Sequence, residues 1–156
     1  MPAAAQYYAN GRGAIGNPKT IVMIIQTLAT PTDKIKVNGM FISSDDTPAD
    51  NAIEWKVGHT TTAGTGGTAS AAGVKADVGE AASTAQYKSS STAWTAEPTY
   101  VDVFFDQGIN QRASYVLELA DGREWTGDLT QNHGISAQAT HASATVRASC
   151  TLVWFE

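Results

Sequence analysis

Apolar residues in this chain come in short runs that alternate with polar ones and are broken by glycine, proline and asparagine. That spacing leaves little room for helices. Ile53, Trp55 and Val57 share one parity while Glu54, Lys56 and Gly58 take the other. A strand turns successive side chains to opposite faces, so Ala52 to Thr60 is expected to be a half-buried strand. Lys34 to Ser43 alternates in the same way, with Ile35, Val37, Met40 and Ile42 inward. Its parity switches at Gly39, where a β-bulge would account for the shift. Thr20 to Leu28 is β-branched and almost wholly apolar between Pro18 and Pro31, as a strand covered on both faces would be.

Further along, Tyr100 to Asp106 carries Val101, Val103, Phe104 and Phe105. Ser114 to Leu119 and Glu124 to Thr126 flank Asp121-Gly122, a dipeptide that favours a two-residue hairpin turn. Thr140 to Phe155 reads as one long strand with Ala142, Ala144, Val146, Ala148, Cys150, Leu152 and Trp154 on one parity. Its apolar end is expected to be tied into the fold. About eight strands and no convincing long helix predict an all-β fold, an antiparallel β-barrel or jelly-roll sandwich.

Three stretches break this pattern. Residues 1–19 are expected to form an extended N-terminal arm, with residues 20–156 as a single domain. Asn10-Gly11-Arg12-Gly13 and Asn17-Pro18 oppose regular structure, and Tyr7 and Tyr8 are the arm's bulky groups. Thr60 to Gly73 is small and polar, unable to supply a core, and reads as a surface shaped by packing against neighbours. Val74 to Ser91 is weakly patterned, with Glu80 to Gln86 as a short helix or an edge segment.

Charge narrows the function classes. Only 16% of residues are charged, against about 25% in ordinary domains. The net charge is -5 and the basic residues are scattered, without the cluster that direct nucleic-acid binding needs. The apolar run Ile21 to Ile25 is far short of the roughly 20 residues of a membrane-spanning helix. Met1 to Asn10 lacks a signal-peptide pattern, so a soluble protein is expected. Cys150 is the single cysteine, without a disulfide partner in the chain, and reads as a buried small hydrophobe.

No motif points to catalysis, a metal or a cofactor. His59, His133 and His141 lack ligand spacing. Asp45, Asp46 and Asp50 crowd one turn without the regular calcium-loop pattern, and turn-forming aspartates explain them. No nucleophile elbow surrounds a serine, nothing sets the separation of Glu97 and Asp102, and no Lys-Ser/Thr follows Gly64-x-Gly66-Gly67. The chain is not expected to be an enzyme. Trp55 and Trp154 fall on apolar strand faces and are expected in the core. Trp94, in a Ser/Thr-rich segment, is the tryptophan expected at the surface as an interface or ligand platform.

Several segments together resemble a known group. They are Pro18-Lys19-Thr20-Ile21, Ser44 to Asn51, Thr60 to Gly66, Lys75-Ala76-Asp77, Thr95 to Thr99 and the closing Thr151 to Glu156. The chain resembles small proteins that tailed bacteriophages encode near the major capsid gene, although Phe105 to Arg112 departs from their pattern. The resemblance implies a capsid decoration (cement) protein, a β-barrel or jelly-roll protomer forming a homotrimer on the outside of the head. Its partner would be the major capsid protein, and it would be soluble in the host cytoplasm before joining the virion. Residues Met1 to Asn17 would reach onto the capsid. Tyr7, Tyr8, Arg12 and Trp94 are the expected capsid or subunit interface. A carbohydrate- or receptor-binding module on a virion is the alternative, and it requires exposed aromatics around a concave site.

Overall fold

The computed structural model describes residues 4–16, 18–141, 143 and 146–156. In chain order the strands are β1 (Gln6–Ala14), β2 (Lys19–Ile25), β3 (Lys36–Asp45), β4 (Ala52–Thr60), β5 (Thr65–Gly66), β6 (Ala71–Ala72) and β7 (Val74–Lys75). They continue as β8 (Gln86–Ser89), β9 (Trp94–Ala96), β10 (Tyr100–Asn110), β11 (Tyr115–Glu118), β12 (Trp125–Thr126), β13 (Gly134–Thr140) and β14 (Arg147–Phe155). No helix occurs among the described residues.

The strands form two large antiparallel sheets. The front sheet runs β11-β3-β14-β1-β7, with β12 also on β3, and the back sheet runs β10-β4-β13-β2-β8-β6. The fold is therefore all-β and antiparallel, and the sheets do not close into a barrel. Between them lies one core, to which β4 contributes Ile53, Trp55 and Val57 and β14 contributes Ala148, Cys150, Leu152 and Trp154. These are the parities the alternation predicts. Cys150 is wholly enclosed, and burial pushes its thiol well above the ordinary range. The expected bulge is present: Val37 faces Trp154 and Gly39 faces Val153, which leaves Asn38 as the extra residue.

Most of the segment expected as an extended arm forms an interior strand of the front sheet. β1 pairs with β14 along nine positions, from Gln6 opposite Phe155 to Ala14 opposite Arg147, and with β7 on its other side. Its inward positions are Tyr7, Ala9, Gly11 and Gly13. Here the front sheet passes so close to the back sheet that a Cβ on Gly11 would overlap the Ile21 carbonyl oxygen, and one on Gly13 would overlap Ser90. Close approach, not chain flexibility, explains the glycines. Residues 1–3 and Asn17 lie outside the described residues.

Two other expectations change. β11 and β12 do not pair with each other across Asp121-Gly122; both pair with β3, so the turn is an outward detour in one edge strand. Arg123 N–H closes the turn on Ala120 O at 2.9 Å, and Gly122 alone has positive φ, at 82°. A type I′ hairpin turn needs positive φ at both central residues, and Asp121 does not supply it. The stretch Thr140 to Phe155 is not one strand either. β13 ends at Thr140 in the back sheet and β14 starts at Arg147 in the front sheet, while Ala142 and Ala144 lie outside the described residues. Glu80 to Ala85 forms no helix and leads into β8.

Between β4 and β10 the chain makes an excursion whose ends meet. Thr61 N–H donates to Thr99 O at 3.0 Å, and Thr99 N–H to Thr62 Oγ1 at 2.9 Å. The polar loop from Thr60 to Gly73 is its first part, stitched down where β5 pairs β9 and β6 pairs β8. The β5–β9 part of the excursion packs on β2 of the back sheet, while β6 and β8 extend that sheet and β7 extends the front one. Val22 and Ile24 belong to the core between the sheets, so Met23 points the other way, yet Met23 and its register partner Ser136 are both wholly buried.

Candidate interaction surface

The middle of the back sheet is covered by its own chain, while β10 at its edge leaves Val101 and Val103 exposed. Trp94 on β9 is part of that cover. Its indole N–H donates to Thr20 O at 2.8 Å, and only 7% of the residue is exposed. Glu97 anchors the same segment, its Oε2 accepting Thr20 N–H at 2.8 Å and its Oε1 lying 3.4 Å from Lys19 Nζ. The expectation of an exposed Trp94 platform is thus corrected: its Ser/Thr-rich neighbours are a lid packed on β2. Burial also raises the phenol of Tyr100, which lies beside Thr20 and Ser136.

On the outer side of the front sheet the register lines up mostly uncharged side chains. One row crosses five strands as Glu118, Gly39, Val153, Tyr8 and Val74. The next row is Val116, Phe41, Thr151 and Asn10, and beyond it come Ser43, Ser149 and Arg12. Val116 is 55% exposed, Val74 50% and Phe41 39%. Polar groups on this face bond to one another: Ser43 Oγ lies 2.8 Å from Ser149 Oγ, and Thr151 Oγ1 donates to Asn10 Oδ1 at 2.8 Å. Arg12 forms an ion pair with Asp45.

Gly39 has no side chain, and over it opens a trough of about 340 Å³. Val153 forms its floor, Tyr8, Phe41 and Leu119 its apolar walls, and Gln6, Asn38 and Glu118 its polar rim.

The four residues expected to form an interface do not come together. Tyr8 and Arg12 share the bare face of β1. Tyr7 points into the core, its ring centroid 5.5 Å from that of Trp154 and its hydroxyl donating to Ala81 O at 3.2 Å. Trp94 is on the two-stranded β5–β9 sheet, packed on β2 of the back sheet. The remaining surface residues, Phe41, Val116 and Val74, are visible only once register is known, because each is a single apolar residue at an outward position.

A second cluster closes the open flank of the sandwich. Ring centroids run His59–Phe104 at 5.1 Å, Phe104–Trp125 at 4.8 Å, Trp125–Phe105 at 6.3 Å and Phe105–Tyr115 at 5.7 Å. These rings join the edge strand β10 to β11 and β12, so they bridge the sheets. The adjacent Phe104 and Phe105 were the available signal, since a bulge between Val103 and Phe105 lets both turn toward this flank.

Below that flank a cleft of about 210 Å³ gathers Lys34, His59, Asp102, Asp128 and His133. The two histidines hold the loop from β12 to β13. His59 Nε2 is 2.9 Å from Thr126 O, and His133 Nδ1 is 2.8 Å from Asp128 Oδ2. Among the described residues no group of three His, Cys, Asp or Glu is placed to hold a metal ion. In the acidic turn, Asp45 pairs with Arg12 and Asp50 lies 2.9 Å from Arg112 Nε.

Burial opposes ionisation of Asp128, but hydrogen bonds from His133 and from Thr130 N–H outweigh it and hold the carboxyl below its ordinary range. A depressed folded value means stability that is present above the unfolded pKa and lost as pH falls through the folded one. Asp128→Asn should therefore lower the urea midpoint at pH 6. The gap to the wild type should close below about pH 3.9, where the unfolded carboxyl itself titrates. A gap that stays constant down to pH 2.5 would show that Asp128 contributes shape and not charge.

No family model, curated protein or solved structure matches the chain.

Proposed function

We propose that this chain is a structural protein of a bacteriophage virion, a decoration protein that sits on the outside of the head and reinforces contacts between major capsid subunits. The observation that carries this reading is the charge-poor outer face of the front sheet. It leaves Val74, Phe41 and Val116 in water with only Glu118 and Arg12 charged in its three rows. A contiguous, charge-poor apolar face of this kind marks a protein contact. Attachment in many copies needs only modest affinity per copy, because neighbouring contacts reinforce one another.

The proposed fold is a jelly-roll sandwich of eight principal strands. Its support is the order β11-β3-β14-β1 against β10-β4-β13-β2, in which β1 to β4 alternate between the sheets and the later principal strands return beside them. On this reading the capsid contact is the front face, to which β1 contributes Tyr8, Asn10 and Arg12 as a strand of the sheet and not as an arm. The protomers associate with one another, as a homotrimer if they follow a threefold site of the shell. A sugar-binding role would rest on exposed aromatics, and Trp94, the tryptophan singled out for it, is enclosed.

Sedimentation with emptied phage heads tests the proposal. Saturable binding is expected, weakened about tenfold or more by Val116→Asp, a loss of about 1.4 kcal/mol per contact. Binding untouched by that variant would remove the front face from the proposal. No binding to heads, together with recognition of glycans, would sink the decoration role.

A further inference from the structure

Among the described strand residues, Gly108 is the glycine that nothing within the molecule accounts for. Every other strand glycine has an atom within 3.3 Å of its Cβ position, such as Ile21 O at Gly11, Asp102 O at Gly58 and Ile24 O at Gly134. A Cβ on Gly108 would meet only Ala52 Cβ, at 3.7 Å, and its φ is not positive. Bare backbone inside a strand often marks a place where another chain comes close. This one lies on an open edge. β10 pairs with β4 on one side, and among the described residues no strand pairs with it on the other. Bulges between Tyr100 and Asp102 and between Val103 and Phe105 guard its first half. From Phe105 opposite Val57 to Asn110 opposite Ala52 the ladder is regular, a stretch as long as an ordinary strand. Alternate N–H and C=O groups along it point away from β4 with no strand to receive them.

Charge determines which strand fits there. Residues 100–128, which supply β10, β11 and β12 to this flank, hold six of the fifteen acidic side chains and two of the ten basic ones. The charged residues of β10 itself are Asp102 and Asp106, with side chains 79% and 53% exposed. Glu54 stands opposite Gly108 on β4, and the neighbouring cation, Lys56, is already engaged, 2.5 Å from Glu54 and 3.9 Å from Asp106. A second copy of this edge would bring like charge. A lysine or arginine on an added strand, placed opposite Gly108, would instead cross the bare backbone and meet Glu54.

We propose that the β10 edge from Phe105 to Asn110 takes up an extended, lysine- or arginine-bearing segment of another protein, which adds a strand to the back sheet. Main-chain hydrogen bonds hold such a segment, and the acidic flank selects the sign of its charge. The contact is separate from the front face, so it stands whether or not that face binds heads.

The test uses the whole protein and synthetic peptides as long as β10. One alternates lysine with valine, one alternates glutamate with valine, and the last is the lysine peptide N-methylated throughout. Binding is read by titration calorimetry, and its place by hydrogen exchange with mass spectrometry. The lysine peptide is expected to bind, to weaken as salt rises, and to slow exchange in β10. The N-methylated peptide keeps the charge and loses the strand bonds, so it should bind at least about tenfold more weakly. Gly108→Val fills open space, so it should fold normally by circular dichroism and weaken the lysine peptide by about tenfold. Equal binding of the glutamate or the N-methylated peptide, no binding of the lysine peptide, or undiminished binding by Gly108→Val would each overturn the proposal. Slowed exchange in β10 as the protein alone is concentrated would give the edge to a second copy and overturn it too.

Discussion

Gly11→Ala is expected to destabilise the protein by about 3 kcal/mol or more, the upper end for overpacking a tight core. A Cβ at this position would meet the Ile21 carbonyl oxygen and lie 2.7 Å from Val22 Cβ and 2.8 Å from the Ile21 carbonyl carbon. Two of those three atoms are backbone of β2, which is held on both sides by β13 and β8, so neither side-chain rotation nor a small strand shift relieves the overlap. Either the two sheets part locally or β1 leaves its place. A domain with only about 5–15 kcal/mol of stability loses a large fraction to such a change. Gly16→Ala is the control, since nothing lies within 4 Å of its Cβ position. There the loss of unfolded-state freedom should leave stability unchanged or raise it by up to about 1 kcal/mol. Equal urea midpoints for the two variants would show that the inter-sheet approach at Gly11 is looser than described.

Trp154→Ala should be nearly as damaging, about 3–5 kcal/mol, because a large ring is removed from a site that cannot collapse onto the space. Trp154 is wholly buried on the last strand, with Tyr7 against one side of it. Gly73 lies against its six-membered ring, so closely that a Cβ there would overlap the ring. The neighbours on that side are backbone, fixed by Gly73 N–H to Ser83 Oγ at 2.8 Å and by the pairing of β7 with β1. For a chain of this size the loss corresponds to a fall of roughly 10 °C in Tm. A fall of only a degree or two would mean that the loop over the ring closes the gap.

Legibility in the sequence followed side-chain bulk. β3 and β4 were readable because their inward positions hold Ile, Val, Met and Trp, and the bulge at Asn38 was readable from the parity change beside Gly39. β1 was not, because its inward positions after Tyr7 are Ala9, Gly11 and Gly13: the sheets meet so closely there that bulk is excluded, and the alternation disappears with it. Trp94 misled for the opposite reason, since its surroundings are polar in sequence but packed on Thr20 in space. The Asp121-Gly122 turn was visible as a turn, but its φ pattern decides between hairpin and detour, and composition does not report φ. Of the candidate surface, Tyr8 and Arg12 could be named in advance. The face they share could not, because it is assembled by register from strands far apart in the chain, such as Asn10 beside Thr151.

The pairing of β1 with β14 also imposes an order on synthesis. The first of these strands of the front sheet to leave the ribosome finds one long neighbour only when residues 147–155 emerge, long after it. Until then β1 presents an open edge along nine positions, and β3 lacks the same partner. Folding of the front sheet is therefore a late event governed by non-local contacts, which slow the search and leave nascent chains prone to pair with one another. Chaperone capture would matter most for nascent chains that end before Arg147.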